Sequence, residues 1–147
     1  MSETKRFLRQ AIDLARQNVR NGGRPFSAVV ATGVNETAVT ADPTAHAELM
    51  AIRAASLKMQ RPRLDGCIVH ASGHPCPMCF AAMALAGVAA VFYAHSNEEG
   101  EPYGLSPASV YAELARPAAE RSLKMHHARV RSEDGDDPYE RWRLAER

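Results

Sequence analysis

Residues 73–79 read Gly-His-Pro-Cys-Pro-Met-Cys, with Cys76 and Cys79 three positions apart and a proline on each side of Cys76. Thiols at this spacing serve as a redox couple, as half of a structural zinc site, or as two ligands of a catalytic metal. Pro77 suits the first turn of a helix, because it has no N–H for that turn to leave unsatisfied. Cys76 and Cys79 would then lie on one side of the turn, where the positive end of the helix dipole favours thiolate over thiol. Two thiolates so placed can grip one cation.

The stretch Thr44-Ala45-His46-Ala47-Glu48 supplies complementary groups. His46 opens a second predicted helix, and strand-to-helix junctions of an α/β layer tend to open on one edge of the sheet. A histidine and two cysteines meeting there could form a three-ligand zinc site with a fourth tetrahedral position left for water, which zinc activates near neutral pH. Glu48 could collect the water's proton and deliver it to a leaving amine. Each piece also has an ordinary reading. A lone HxE on a helix is usually surface chemistry, and a lone CxxC in a reducing compartment could be redox-active. A thioredoxin-like pair, however, opens a βαβ unit without a matched HxE upstream.

The elements that must position these groups follow from periodicity. Leu8, Ala11, Ile12, Ala15 and Val19 recur at helical spacing until Gly22-Gly23 stops the pattern. Segments 24–31, 66–72 and 88–95 are short, apolar and bounded by turn residues, as strands are. Segments 45–60 and 77–87 read as helices, the second ended by Gly87. A short helix over 106–117, a final strand over 123–130, a polar break over 131–138 and a last helical turn or two complete the chain. The expected fold is a three-layer α/β/α sandwich, with a central mixed sheet of about five strands and helices on both faces. Residues 1–147 are expected to form a single domain, with 131–147 a tail carrying the short helix.

Composition agrees with an ordinary globular domain: 147 residues, 46% hydrophobic, 24% charged, formal net charge +1. That balance exerts no general pull on nucleic acid or on an anionic membrane. No secretory leader or membrane span is visible, so a cytoplasmic setting is expected. Cys67, the third cysteine, lies in an apolar run and reads as a small buried hydrophobe.

His46-Ala47-Glu48 followed by Pro75-Cys76-x-x-Cys79 resembles the signature of the cytidine-deaminase superfamily of zinc hydrolases. The stretches at 42–56, 75–95 and 110–122 are similar to its bacterial guanine-deaminase branch, so the likeness covers most of residues 5–125. The resemblance implies one Zn2+ per chain held by His46, Cys76 and Cys79, with Glu48 as the proton shuttle. It implies a homodimer acting on a small amino-heterocycle, with no membrane or nucleic-acid partner. It also implies that Asn35 contacts the base, that Phe26 walls the pocket, and that the Ala47 N–H holds a substrate carbonyl.

Four departures bear on substrate choice. His74 replaces the glutamate of the family's usual Cys-Glu-Pro-Cys, and Leu85 replaces a tryptophan of the branch. Ser106 and Pro107 replace an acidic pair, and the C-terminus reads Tyr-Glu-Arg-Trp-Arg-Leu-Ala-Glu-Arg rather than ending in an aromatic tail. Acidic groups would pair with the amino and ring N–H donors of guanine, through hydrogen bonds worth about 1.5–3 kcal/mol each. The expected substrate is therefore a purine-like free base or a related amino-heterocycle, with His74 among its contacts. Trp142, three residues after Tyr139, could close over the pocket as a lid or simply dock its helix. A hairpin usual in the family would lie where Pro25–Ala31 runs straight into Thr32–Glu36, a stretch too short for two paired strands. Either the hairpin is shortened or residues are missing between Ala31 and Thr32, and the second is expected because a lost strand would expose a sheet edge beside the site.

Two other functions fit the motif. A tRNA adenosine deaminase shares it but needs a basic surface for an RNA loop, and the tail here is mixed in charge. A non-catalytic, zinc-stabilised binding or dimerisation module would need a fourth protein ligand, and His74 is the residue that could supply one.

Overall fold

In the computed structural model, which describes residues 2–130, 135 and 137–145, the chain opens with helix α1 (Glu3–Arg20). The Ser2 side chain caps it by accepting from the Lys5 N–H, and Glu3 and Arg20 match the two ends of its dipole. Strands β1 (Ser27–Val29) and β2 (Thr32–Val34) follow. Next come α2 (Thr37–Thr40, one turn), α3 (Ala47–Met59), β3 (Ile68–Gly73), α4 (Pro77–Ala86) and β4 (Ala90–His95). Two short helices, α5 (Asn97–Gly100) and α6 (Ala108–Ala115), complete a first compact unit, Met1–Ala115. A second unit, Arg116–Arg147, carries α7 (Pro138–Ala145). Among the described residues, no helix is long and apolar enough to cross a membrane.

The sheet is mixed, in the order β2-β1-β3-β4, with β3 and β4 parallel and the other pairs antiparallel. Strand alternation sends neighbouring residues to opposite faces. On one face the Ser27 hydroxyl donates to the Ala11 carbonyl of α1, and the His70 ring lies 5.0 Å from Phe7 of the same helix. On the other face Ala28 and Val69 pack with Ala51 of α3 and with Cys79 and Met83 of α4. The three expected layers are therefore present, and Gly87 ends α4 with φ 77°, a conformation glycine adopts without strain.

Two expectations need correction. The stretch after Pro25 does form a hairpin: Val29 pairs with Thr32, and Val30-Ala31 alone make the connection. No residues need to be missing there, because a two-residue link suffices for an antiparallel pair. The final strand expected over 123–130 is not formed, so the sheet has four strands rather than five among the described residues. The 123–130 segment is exposed throughout.

The short hairpin packs tightly on α3. A Cβ at Gly33 would collide with the Ala47 carbonyl and with the Ala51 N, so only glycine lets β2 come this close to the start of the helix.

Candidate metal centre and active site

Helices α3 and α4 begin beside each other, and their N-cap residues are His46 and Cys76. Both have extended backbones, with φ/ψ of −72°/151° and −73°/166°, and neither side chain caps its own helix. They turn toward one another instead. Cys79 is the third residue of α4 and joins them from one turn up. The Cys76 Sγ lies 3.5 Å from His46 Nδ1 and 3.5 Å from Cys79 Sγ, while Cys79 Sγ lies 3.7 Å from His46 Nδ1.

Those separations suit a single ion. Tetrahedral coordination with bonds of about 2.0–2.3 Å sets ligand atoms about 3.3–3.8 Å apart, and one nitrogen with two sulfurs is a zinc-type donor set. His74 does not complete the group: His46, Cys76 and Cys79 are its members among the described residues. The His74 Nδ1 is bonded to the Pro75 carbonyl at 3.0 Å. A carbonyl can only accept, so Nδ1 carries the hydrogen and Nε2 is the acceptor of the neutral ring.

Glu48, the second residue of α3, is 5% exposed and accepts from Cys79 Sγ at 3.4 Å. Burial pushes its carboxyl above the usual carboxylate range, which suits a group that must take up and release a proton near neutrality. The two thiols are driven apart. The hydrogen bond between Cys76 and Cys79, and then the one with His46, pulls Cys76 down to about 4, whereas the adjacent Cys76 and burial push Cys79 up. His46 is raised, chiefly by its bond to Cys76. The pair thus holds one proton that a cation would displace.

A cavity of about 350 Å³ opens on these groups, and its walls include Phe26, Asn35, His46, Glu48, His74 and Cys76. Asn35 is 3% exposed, and its orientation is determined by its neighbours. The Thr37 N–H and hydroxyl both donate to Asn35 Oδ1, at 3.3 and 2.8 Å. Its Nδ2 is buried with no partner among the described residues. Asn18, near the end of α1, donates to the Asn35 carbonyl at 3.0 Å and to the Arg24 carbonyl at 2.8 Å, which ties the hairpin ends in place. Ala47 is fully buried as the first residue of α3.

Arg24, Leu105 and Val110, which sequence reasoning missed, also line the cavity. Ser106 and Pro107, which replace the acidic pair, line it from the loop before α6. Arg24 stands over the Phe26 ring, 5.8 Å from its centroid. Only the glycine-bounded loop at 104–107 carried any sequence signal, through its departure from the acidic pair. Leu85, by contrast, is 80% exposed on α4 and lines no part of this cavity. Trp142 belongs to the second unit, where it stands 63% exposed on α7.

Comparison with known proteins gives a consistent set of matches. The profile described as "Cytidine and deoxycytidylate deaminase zinc-binding region" matches residues 1–95. The guanine deaminase of Bacillus subtilis is 37% identical over 145 residues, covering 93% of this chain and 92% of that protein. Its X-ray structure superposes with a TM-score of 0.87 at 35% identity, over 98% of this chain and 95% of the other. A further relative, crystallised in complex with 2,6-diaminopurine, superposes with a TM-score of 0.69 at 26% identity, over 73% of this chain and 64% of its own.

Proposed function

The chain belongs to the zinc-dependent cytidine and deoxycytidylate deaminase family, and from that premise we propose that it removes the exocyclic amino group of a free purine-like base or related amino-heterocycle, releasing ammonia. As a zinc-dependent hydrolytic deaminase, it resembles a guanine deaminase over 93% of its own chain and 92% of that protein. Zinc held by His46, Cys76 and Cys79 would supply Lewis-acid activation of water. Glu48 takes the proton of that water and hands it to the leaving nitrogen, so each proton moves within reach of one buried carboxyl.

The observation that carries the substrate reading is the unpartnered Asn35 Nδ2, a buried donor in the wall of the cavity that holds Glu48. A buried donor without a partner costs about 1–3 kcal/mol, which an acceptor on the substrate would offset. A ring nitrogen or carbonyl of a purine-like base provides one. The Ala47 N–H would hold a substrate carbonyl, the Phe26 ring would stack on the heterocycle, and His74 Nε2 would accept from a substrate N–H. Among the described residues, Glu48 is the only carboxylate in the cavity's walls. That favours a base that offers acceptors to Asn35 and Arg24 over one held mainly through its donors. Known relatives include a guanine deaminase and a protein crystallised with 2,6-diaminopurine, both of which support a purine-like substrate.

The proposal takes residues 1–147 as one catalytic protein, with the reaction carried by the Met1–Ala115 unit that holds His46, Glu48, Cys76 and Cys79. It takes the protein as a cytoplasmic homodimer. A metal site built on two thiolates suits a reducing compartment. The exposed Phe80 and Leu85 give α4 an apolar surface suited to a second copy.

The test is ammonia release from zinc-loaded protein across free aminopurines, aminopyrimidines, aminotriazines and the matching nucleosides. Release from the free aminopurines or their close analogues is expected. Silence across the panel with one zinc bound per chain would overturn the proposal.

A further inference from the structure

Cys79 lies inside α4, whereas Cys76, like His46, is an N-cap residue at the edge of its helix, where the β3–α4 loop ends. On its C-terminal side, Pro77 restricts it to extended backbone, and its own carbonyl accepts from the Phe80 N–H at 2.9 Å. Its N-terminal side is governed by the Pro75–Cys76 peptide unit, because rotation of that plane swings the Cβ–Sγ bond about the Cys76 N–Cα axis.

Two donors from different places converge on the carbonyl of that peptide unit. The Tyr111 hydroxyl donates to Pro75 O at 2.9 Å, from α6 and 36 residues along the chain. His74 Nδ1 donates to the same oxygen at 3.0 Å. A carbonyl has two lone pairs, and this one has both engaged. The donors are themselves braced: the His74 ring meets Tyr93 edge-on at 4.7 Å and Tyr111 at 5.7 Å between centroids. Among the described residues Tyr111 makes no hydrogen bond to the three ligand atoms or to Glu48, so its hydrogen-bonded link to the metal centre runs through this one carbonyl.

We infer that Tyr111 is a positioning residue for the metal centre, whose hydroxyl fixes the Pro75–Cys76 peptide plane and through it the aim of the Cys76 thiolate. The inference rests on the reading of His46, Cys76 and Cys79 as zinc ligands. Partners one step removed from the metal commonly change its affinity about 10–100-fold when lost. Tyr111 lies outside the metal-binding motif, in the 110–122 stretch, and its role follows from the hydrogen bond.

Tyr111→Phe deletes the hydroxyl and keeps the ring. Zinc affinity is measured by competition with a chromophoric chelator, and the metal's geometry by the absorption spectrum of the Co2+-substituted protein. The expected result is about tenfold weaker zinc binding, with shifted thiolate-to-cobalt and ligand-field bands. Wild-type affinity together with a wild-type cobalt spectrum would overturn the inference, even if the variant melted earlier, since that pattern marks a merely structural tyrosine. His74→Phe removes the other donor while keeping a ring, and it decides the matter in the same way should Tyr111→Phe fail to fold. Cys76→Ser serves as the reference. If it too leaves zinc affinity unchanged, the ligand assignment has failed; if it loses zinc while Tyr111→Phe does not, the positioning role alone has failed.

Discussion

Thr37 turns both of its donors, the backbone N–H at 3.3 Å and the hydroxyl at 2.8 Å, onto Asn35 Oδ1. Because a backbone N–H can only donate, the atom it meets must be the amide oxygen, and Asn35 is left to offer its NH2 group to the cavity. Asn35→Ala should lower kcat/KM about 5- to 10-fold, the effect of losing one neutral hydrogen bond of about 1 kcal/mol. Asn35→Asp, which puts an acceptor where the substrate's acceptor should bind, should lower it further. Steady-state kinetics on protein with unchanged zinc content check both, and equal activity in all three proteins would remove Asn35 from the substrate contacts.

Zinc binding should be coupled to proton release. Cys76 is held near 4 and is already a thiolate at neutral pH, whereas Cys79 is pushed up and keeps its proton. An incoming cation must therefore displace at least the Cys79 proton, and zinc affinity should rise about tenfold per pH unit for each proton released. Calorimetric titration in buffers of different ionisation enthalpy counts the protons. Affinity that stays flat between about pH 6 and 8 would contradict this picture of the two thiols.

His70 links stability to pH. It lies beneath α1 between Phe7 and Phe92, and burial holds its imidazole below the ordinary value of 6.5. The unfolded chain therefore binds the proton more tightly than the native one. The stability His70 contributes is fully present above about pH 6.5 and is lost as pH falls through the lowered native value. Urea midpoints measured across that range should decline for the wild type relative to His70→Gln. Parallel pH profiles for the two proteins would show that His70 has no such linkage.

Gly33→Ala should be destabilising by about 1–3 kcal/mol, the usual effect of forcing volume into a packed region. The new methyl group meets backbone of α3, at the Ala47 carbonyl and the Ala51 N, rather than a side chain that could move aside. His46 and Glu48 ride on that same first turn. The variant should therefore also bind zinc more weakly, as thermal unfolding with and without a chelator would reveal.

What was legible in the sequence follows the physics of each element. Helix α4 carries its own start and stop signals, Pro77 and Gly87, and α3 was legible in its helical spacing, so the placing of His46, Glu48, Cys76 and Cys79 on helix starts could be read directly. The hairpin could not. Its link, Val30-Ala31, has neither glycine nor asparagine, and neither residue takes a positive φ, so the usual turn signature is missing. Residues 123–130 read as a strand, but a strand exists only where a partner's hydrogen bonds reach it, and sequence pattern does not report that. The same limit applies to the walls of the cavity. Arg24, Leu105 and Val110 arrive from separate loops and a helix, and Tyr111 acts through one distant carbonyl. Such contacts depend on tertiary packing and leave no local trace.

The most direct test of the chemistry compares ammonia release by the wild type and by Glu48→Gln, each shown to carry one zinc per chain. Glu48 Oε2 lies 3.4 Å from Cys79 Sγ, so its carboxyl is beside the metal site without belonging to the ligand group. Deamination with Glu48 as the proton carrier predicts that Glu48→Gln keeps its zinc and its fold while kcat falls at least about 10²–10⁴-fold. Turnover by the zinc-loaded variant at the wild-type rate would contradict that mechanism.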